Sequence, residues 1–339
     1  MNFVPHSYPF FIGNEKEILF QYLEKEYIGY SDKLNEKIKD SLSDFFKYEH
    51  IFFTPSASLS LLLILKMIKK IKSTKNEIII SSINCWSVYN TIKSETFFPI
   101  IADVRDVMDF RSSYENIVNK ITKNTIAIII THMFGVFVEE KIIKKLKQNY
   151  PDLIIIEDFS TSFMGQNDLG NYSDFGIVSF GSTKPISAGC GGALLSNYDM
   201  FDEHYDDYIK TKLTFNVKTS IFEQLLLLNQ LKNLDLIKEM RKKLLYFYKN
   251  FVNIYNPLNL DLFRIIIFKT RNKKELKDLE NFLSTYDIKL DKRESVQPNF
   301  SKKLKYRNLF NSFNFKEYYS LPNNFLLFKL LKEKGLIDE

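Results

Sequence analysis

Apolar residues follow two rhythms along this chain. Between residues 50 and 200, short aliphatic runs of strand length alternate with segments whose apolar positions recur at helical spacing. Ile78, Ile79 and Ile80 form a strand of the buried type; residues 97–102, 125–130, 153–156, 175–180 and 193–195 read as further strands. Residues 59–71, 88–94 and 139–148 read as helices between them. Such alternation predicts an α/β fold, a mostly parallel, doubly wound sheet flanked by helices. Before this region lies an arm punctuated by Pro5, Pro9 and Gly13, then helical spacing from Glu15 onward. After it, from Tyr208 to Asn250, the pattern is helical, and residues 222–231 and 237–251 carry apolar stripes suited to packing or dimerisation. Beyond Pro257 the pattern changes again: strand 263–268, helix 274–286, strand 287–290 and a final helix 325–334. The expected organisation is a large domain of residues 1–250 with an N-terminal arm, and a smaller α+β domain of residues 251–339.

Composition narrows the classes. The 339 residues carry a formal charge of +6, mild for this length. Basic residues are mixed with acidic ones, most visibly in residues 232–249, which read as solvated helix faces rather than a nucleic-acid surface. Cys85 and Cys190 are too few for a disulfide framework, which points to a reducing cytoplasm. The four histidines show no metal-ligand spacing, and no apolar run reaches membrane-spanning length. No secretory leader is expected at the N-terminus. The glycine patterns of dinucleotide-binding and P-loop proteins are missing from the sequence.

Four places carry candidate chemistry. In residues 174–197, a strand leads to a polar turn with Lys184, then to Gly189, Gly191 and Gly192, then to a second strand. A lysine in a glycine-lined pocket can be desolvated, which lowers its pKa as Schiff-base chemistry requires; a surface-loop lysine is the plainer alternative. Ser56 and Ser58 stand where a helix starts, fit to bind a phosphate or simply to cap the helix. Trp86, the single tryptophan, falls near the carboxyl end of a strand, where it could stack on a planar ligand or pack in the core. Asp158 follows a run of aliphatic residues and either points into the crevice at the sheet edge or caps a helix. An amine, a carboxylate, an anion-binding helix start and an aromatic are together what pyridoxal phosphate needs.

Six motifs, in order, strengthen that reading. INCWSVYNTI (83–92), FFPIIADV (97–104), ITKNTIAIIITHMFG (121–135), IIIEDFSTS (154–162), SFGSTKPISAGCGGALLSN (179–197) and FNVKTSIFEQLLLLNQLKNLD (215–235) resemble motifs of the DegT/DnrJ/EryC/StrS sugar aminotransferases. The resemblance runs from about residue 10 to residue 255 and implies the aspartate-aminotransferase-like fold (fold type I) with pyridoxal phosphate as cofactor. By it, Lys184 carries the cofactor and shuttles a proton, and Asp158 pairs with the ring nitrogen. Ser179, Ser56 and the backbone at Ala57 bind the phosphate. Asn216 reaches the phosphate in the partner subunit, which implies a homodimer. Cys85 or Trp86 covers the ring: motif position favours Cys85, chemistry favours Trp86.

Certain positions depart from the family pattern. Pro55–Ser56 replaces Gly-Thr, Thr161 replaces a glutamine near the ring hydroxyl, Cys190 replaces an acidic residue, and Lys218 an arginine. The resemblance implies a cytoplasmic enzyme that moves an amino group from glutamate or glutamine to a nucleotide-linked keto sugar, for polysaccharide or glycoconjugate synthesis. The family's dehydratases carry histidine where Lys184 stands. The departures keep two alternatives open, a pyridoxal-phosphate enzyme for another carbonyl or amino acid, and a non-catalytic dimeric scaffold or regulator.

Overall fold

Each aliphatic run of the central region forms a strand in the computed structural model, which describes residues 2–5, 9–24, 29, 31–71, 74–106, 109–198, 218–252, 265–268, 273–291, 318–322 and 325–338. Asn216, the beginning of the helical stretch at Tyr208, and the first two residues of the strand expected at 263–268 lie outside these residues. The order opens with β1 (Asn2–Val4), α1 (Glu15–Leu23), α2 (Asp32–Ser43), β2 (His50–Thr54) and α3 (Ala57–Ile71). It continues with β3 (Glu77–Ser81), α4 (Trp86–Ser94), β4 (Phe98–Ala102), β5 (Val104–Asp106), β6 (Asp109–Ser112) and α5 (Tyr114–Val118). Next come β7 (Thr125–Thr131), α6 (Glu140–Asn149), β8 (Ile154–Asp158), β9 (Phe175–Ser179) and β10 (Gly192–Ser196). Then follow α7 (Ile221–Lys232), α8 (Leu234–Lys249), β11 (Ile265–Phe268), α9 (Lys273–Thr285), β12 (Ile288–Leu290), β13 (Tyr318–Leu321) and α10 (Phe325–Glu333).

Among the described residues, a seven-stranded sheet runs in the order β2-β10-β9-β8-β7-β3-β4. Neighbours from β9 to β4 pair in parallel, while β10 is antiparallel to both β9 and β2. Alternate residues of a strand feed opposite faces. Ile78 and Ile80, Ala127 and Ile129, and Ile154 and Ile156 pack with α3 and α4. Their neighbours Ile79, Ile128, Ile130 and Ile155 pack with α5 and α6 on the other face. With helices on both faces, every residue of β7 is buried, which is why its sequence is a continuous apolar run. A further apolar cluster joins β1 and the arm residue Phe10 to α8, α9, β12 and α10.

Several local expectations shift. The helix expected from 88 begins at Trp86, and the helix expected from 59 begins at Ala57. The basic stretch 232–249 is not wholly solvated: Arg241 is only 3% exposed. Residues 241, 244, 245 and 248 lie on the buried face of α8, so Arg241 follows the apolar stripe rather than the charged one. In β5 and β6, Arg105, Asp109 and Arg111 are held by ion pairs. Arg105 meets Glu139 at 2.6 Å and Arg111 meets Asp109 at 2.7 Å. Among the described residues, no helix is long and apolar enough to cross a membrane.

Candidate active site

The parallel strands end together, and their carboxyl ends bring the candidate residues around one cavity of about 310 Å³. That size falls within the range of roughly 300–1,000 Å³ typical of small-ligand sites. Thr131 closes β7, Asp158 closes β8 opposite it, and Ser179 closes β9. Ser56, Ala57, Cys85, Asp158, Thr161 and Ser179 all line the cavity, and so does Lys184. Trp86 does not; its ring meets Tyr89 edge-on, 5.7 Å between centroids. Cys85 is the extended N-cap residue of α4 and lines the cavity, while Trp86, the first residue of the helix, does not.

The helix start is held by an interlocking set of hydroxyls. Ser56 is the residue before α3, and its Oγ accepts the Leu59 N–H at 3.2 Å. Capping and cavity lining therefore coexist in one side chain, because a hydroxyl that accepts there still has its proton to donate. Thr54 and Ser60 pair at 2.7 Å, and each also bonds the Ser56 carbonyl. The N–H groups of Ala57 and Ser58 fall in the first turn, where a helix offers no internal acceptor. With no acidic residue in that turn, the helix end suits an anion.

The glycines explain how the lysine loop meets this turn. Gly191 donates its N–H to the Pro55 carbonyl at 3.0 Å. Pro55 lacks an N–H, but the contact that docks the loop uses its carbonyl. Gly191 has φ +114°, open to glycine and strained for other residues. A Cβ on Gly192 would stand 2.4 Å from the Ala57 nitrogen, so glycine is required for the strand to lie against the helix start. Lys184 is half-buried, in a turn closed by its own N–H to the Gly181 carbonyl at 3.0 Å.

Asp158 is 5% exposed and one of its oxygens accepts the Ser160 N–H at 2.9 Å. Thr161 donates its hydroxyl proton to the His132 carbonyl at 2.9 Å and accepts the Phe134 N–H at 3.2 Å. It thus braces the loop after β7 while forming part of the wall. On the sheet's other face, His132 Nδ1 accepts the Val138 N–H at 3.1 Å, so its proton sits on Nε2, which donates to Glu157 at 2.9 Å. Ser173 bonds the same carboxylate, and Tyr48 bonds Ser173. Burial, then the Glu157 charge, holds the Tyr48 phenol well above its usual range, so it remains a donor.

Sequence reading missed Asn84 and Thr131. Asn84 is fully buried, donates to Thr131 Oγ1 at 2.9 Å, and its own Oδ1 accepts the Cys85 N–H at 2.8 Å. Thr131 ends β7 and Asn84 lies in the loop between β3 and α4, at the carboxyl edge that marks ligand contacts in open α/β sheets.

The strand order, its single reversal and a site at the carboxyl edge define an α/β protein of the aspartate-aminotransferase-like fold, fold type I. The chain belongs to the DegT/DnrJ/EryC1/StrS aminotransferase family, whose sequence profile matches residues 13–258. It is similar to the GDP-perosamine synthase of Vibrio cholerae, 23% identical over 201 residues, which cover 58% of this chain and 53% of the relative. The chain spans about half the length of the curated relatives it matches. Helicobacter pylori PseC, an aminotransferase involved in the biosynthesis of pseudoaminic acid, shares the fold with a TM-score of 0.74. It is 20% identical, with 95% of this chain and 94% of that one covered. The Escherichia coli GDP-4-keto-6-deoxy-D-mannose-3-dehydratase with bound hydrated pyridoxal phosphate has a TM-score of 0.71 and is 16% identical, with 97% and 99% covered.

Proposed function

We propose that this chain is a pyridoxal-phosphate-dependent aminotransferase that transfers an amino group from an amino acid to a keto sugar carried on a nucleotide. The observation that carries the reading is the meeting of Lys184, Asp158 and the first turn of α3 around one cavity. The donor set fits the cofactor: an amine, a buried carboxylate, and hydroxyls with helix N–H groups for a phosphate. Relatives named for nucleotide-sugar amination support the substrate class.

Bound pyridoxal phosphate supplies an aldehyde that captures the amino group and a protonated ring that accepts the electron pair released beside it. The protein's residues do the rest. The Asp158 carboxylate keeps the ring nitrogen protonated, its Ser160 bond fixing its orientation. Ser56, Ser179 and the N–H at Ala57 hold the phosphate. The Lys184 Nζ would move a proton between the donor's α-carbon and the C4′ carbon of the cofactor. Cys85, rather than Trp86, covers the ring. A lysine at this place, where the family's dehydratases carry histidine, favours amination over dehydration.

The wider reading is a homodimer whose Asn216 reaches the partner's cofactor phosphate. Residues 1–250 form the cofactor-binding domain and residues 251–339 the smaller one. Glutamate or glutamine is the donor, the enzyme works in the cytoplasm, and its product feeds polysaccharide or glycoconjugate synthesis. The test is an absorbance spectrum of the protein with pyridoxal phosphate, before and after glutamate. A visible band that glutamate bleaches, and that Lys184→Ala lacks, supports the reading. No band with added cofactor overturns it. A band unmoved by glutamate favours a different donor or carbonyl, the second reading, which the committed Thr161 hydroxyl already motivates.

A further inference from the structure

The loop that carries Lys184 is held from behind by two buried polar side chains. Gln230, on α7, has no exposed surface. Its Oε1 accepts the Ser187 N–H at 3.3 Å, and its Nε2 donates to the Phe10 carbonyl at 3.0 Å. Arg241, on α8, donates Nη2 to the Pro185 carbonyl at 3.1 Å. Its guanidinium carbon lies 4.2 Å from the centre of the Phe10 ring. Each side chain therefore spans the same two partners, the segment just after Lys184 and Phe10 of the N-terminal arm.

The arm has a second attachment. β1 pairs in parallel with β12, Asn2 opposite Ile288 and Val4 opposite Leu290. Phe10 and Val4 are packed in the apolar cluster that contains α9 and α10. A continuous set of contacts thus runs from the C-terminal elements through the arm to the lysine loop. Burial pulls the Arg241 guanidinium down to about 9. A leucine in that place would avoid this desolvation but would lose the contacts to the Pro185 carbonyl and the Phe10 ring.

We propose that Arg241 and Gln230 are positioning residues that set the place of Lys184 by tying its loop to Phe10, so that the seating of the N-terminal arm controls the reactive amine. The proposal rests on the reading that Lys184 is that amine. Neither residue lines the cavity, so each acts through the 185–187 backbone rather than on a ligand. Loss of either bridge frees the loop without emptying the cavity of any donor.

Hydrogen exchange and the spectrum of bound cofactor test it on the full chain. Gln230→Leu, Arg241→Met and Phe10→Leu each keep most of the buried volume and remove part of the bridge. In the cofactor-free protein, each is expected to raise exchange in residues 181–191 by roughly tenfold or more, with residues 125–131 unchanged. With cofactor, each shifts the pH midpoint of the visible band, and Arg241→Lys, which keeps a donor, lies between wild type and Arg241→Met. Unchanged exchange at 181–191, or an equal rise at 125–131, overturns the proposal. If a variant is too unstable to purify, Gln230→Glu, which keeps the acceptor for Ser187 but not the donor for Phe10, decides by the same two readouts. Failure of the functional reading looks different: wild type shows no visible band, while the exchange comparison still reports whether arm and loop are coupled.

Discussion

The Cβ that Gly192 lacks would lie 2.4 Å from the backbone nitrogen of Ala57. Two backbones, one ending in the lysine loop and one starting a helix, are therefore in direct contact at the end of the cavity lined by Ser56 and Ala57. Gly192→Ala must push them apart. The expected cost is about 1–3 kcal/mol, as for other overpacked sites, seen as a lower midpoint in urea. Pyridoxal phosphate should bind the variant at least about tenfold more weakly, the equivalent of some 1.4 kcal/mol. Fluorescence titration of the cofactor checks this, and normal affinity in the folded variant would remove the helix start from the phosphate site.

Asp158→Asn separates the carboxylate's charge from its shape. The amide oxygen can still accept the Ser160 N–H, so the strand end should stay in place. If Asp158 pairs with the ring nitrogen as proposed, that nitrogen would lose its proton without the charge. Turnover should fall by roughly 10²–10⁴-fold, the usual range for a lost acid–base group, with a much smaller change in thermal midpoint. A variant with near-normal turnover would show that another group holds that proton.

Cys85 and Cys190 offer an internal comparison. Cys85 is half-buried at the cavity and Cys190 is exposed. A thiol reagent followed by mass spectrometry should label both in the cofactor-free protein. Pyridoxal phosphate should protect Cys85 and leave Cys190 reactive. If Cys85 reacts equally well in both states, it does not cover the ring.

Alkaline stability should depend on Tyr198. Its ring stacks on Phe175, and burial, helped by Asp174, lifts its phenol to about 12 from an ordinary value of 10.0. A raised phenol means the folded state favours the protonated form. Its contribution is complete below pH 10 and is lost as pH rises from about 10 toward 12. Chemical denaturation of wild type and Tyr198→Phe across that window should show the wild type losing stability more steeply. Parallel profiles would exclude Tyr198 as a source of the loss.

The legible parts of the site were those that follow long apolar runs. Asp158 stands out because a run of four aliphatic residues leads into the Glu157–Asp158 pair that ends the strand, and alternation puts the two carboxylates on opposite faces. Lys184 stands out because glycines crowd after it. Asn84 and Thr131 did not, since small polar residues at strand ends are common in loops and only the pairing of neighbouring strands brings them together. The Cys85–Trp86 ambiguity came from helix phase: one residue is about 100° of rotation, and motif spacing does not fix where a helix begins. Arg241 was invisible among lysines because composition does not tell the buried side of a helix from its wet side.

The reversal of β10 has a consequence for how such a protein can change. In a purely parallel sheet, the segment leaving β9 would run off into a crossover helix, and its length could drift. Here the same segment returns at once, so the arc bearing Lys184 is clamped at both stems, by Phe180 and Ala188 to each other and by Gly191 to Pro55. An insertion within it would shift the amine. The wall around Cys85, Ser87 and Met133 is built on other strands and is held by side-chain bonds from Asn84 and Thr161 rather than by paired stems of one arc. A substitution in that wall can therefore change its shape while the stems of the Lys184 arc stay paired.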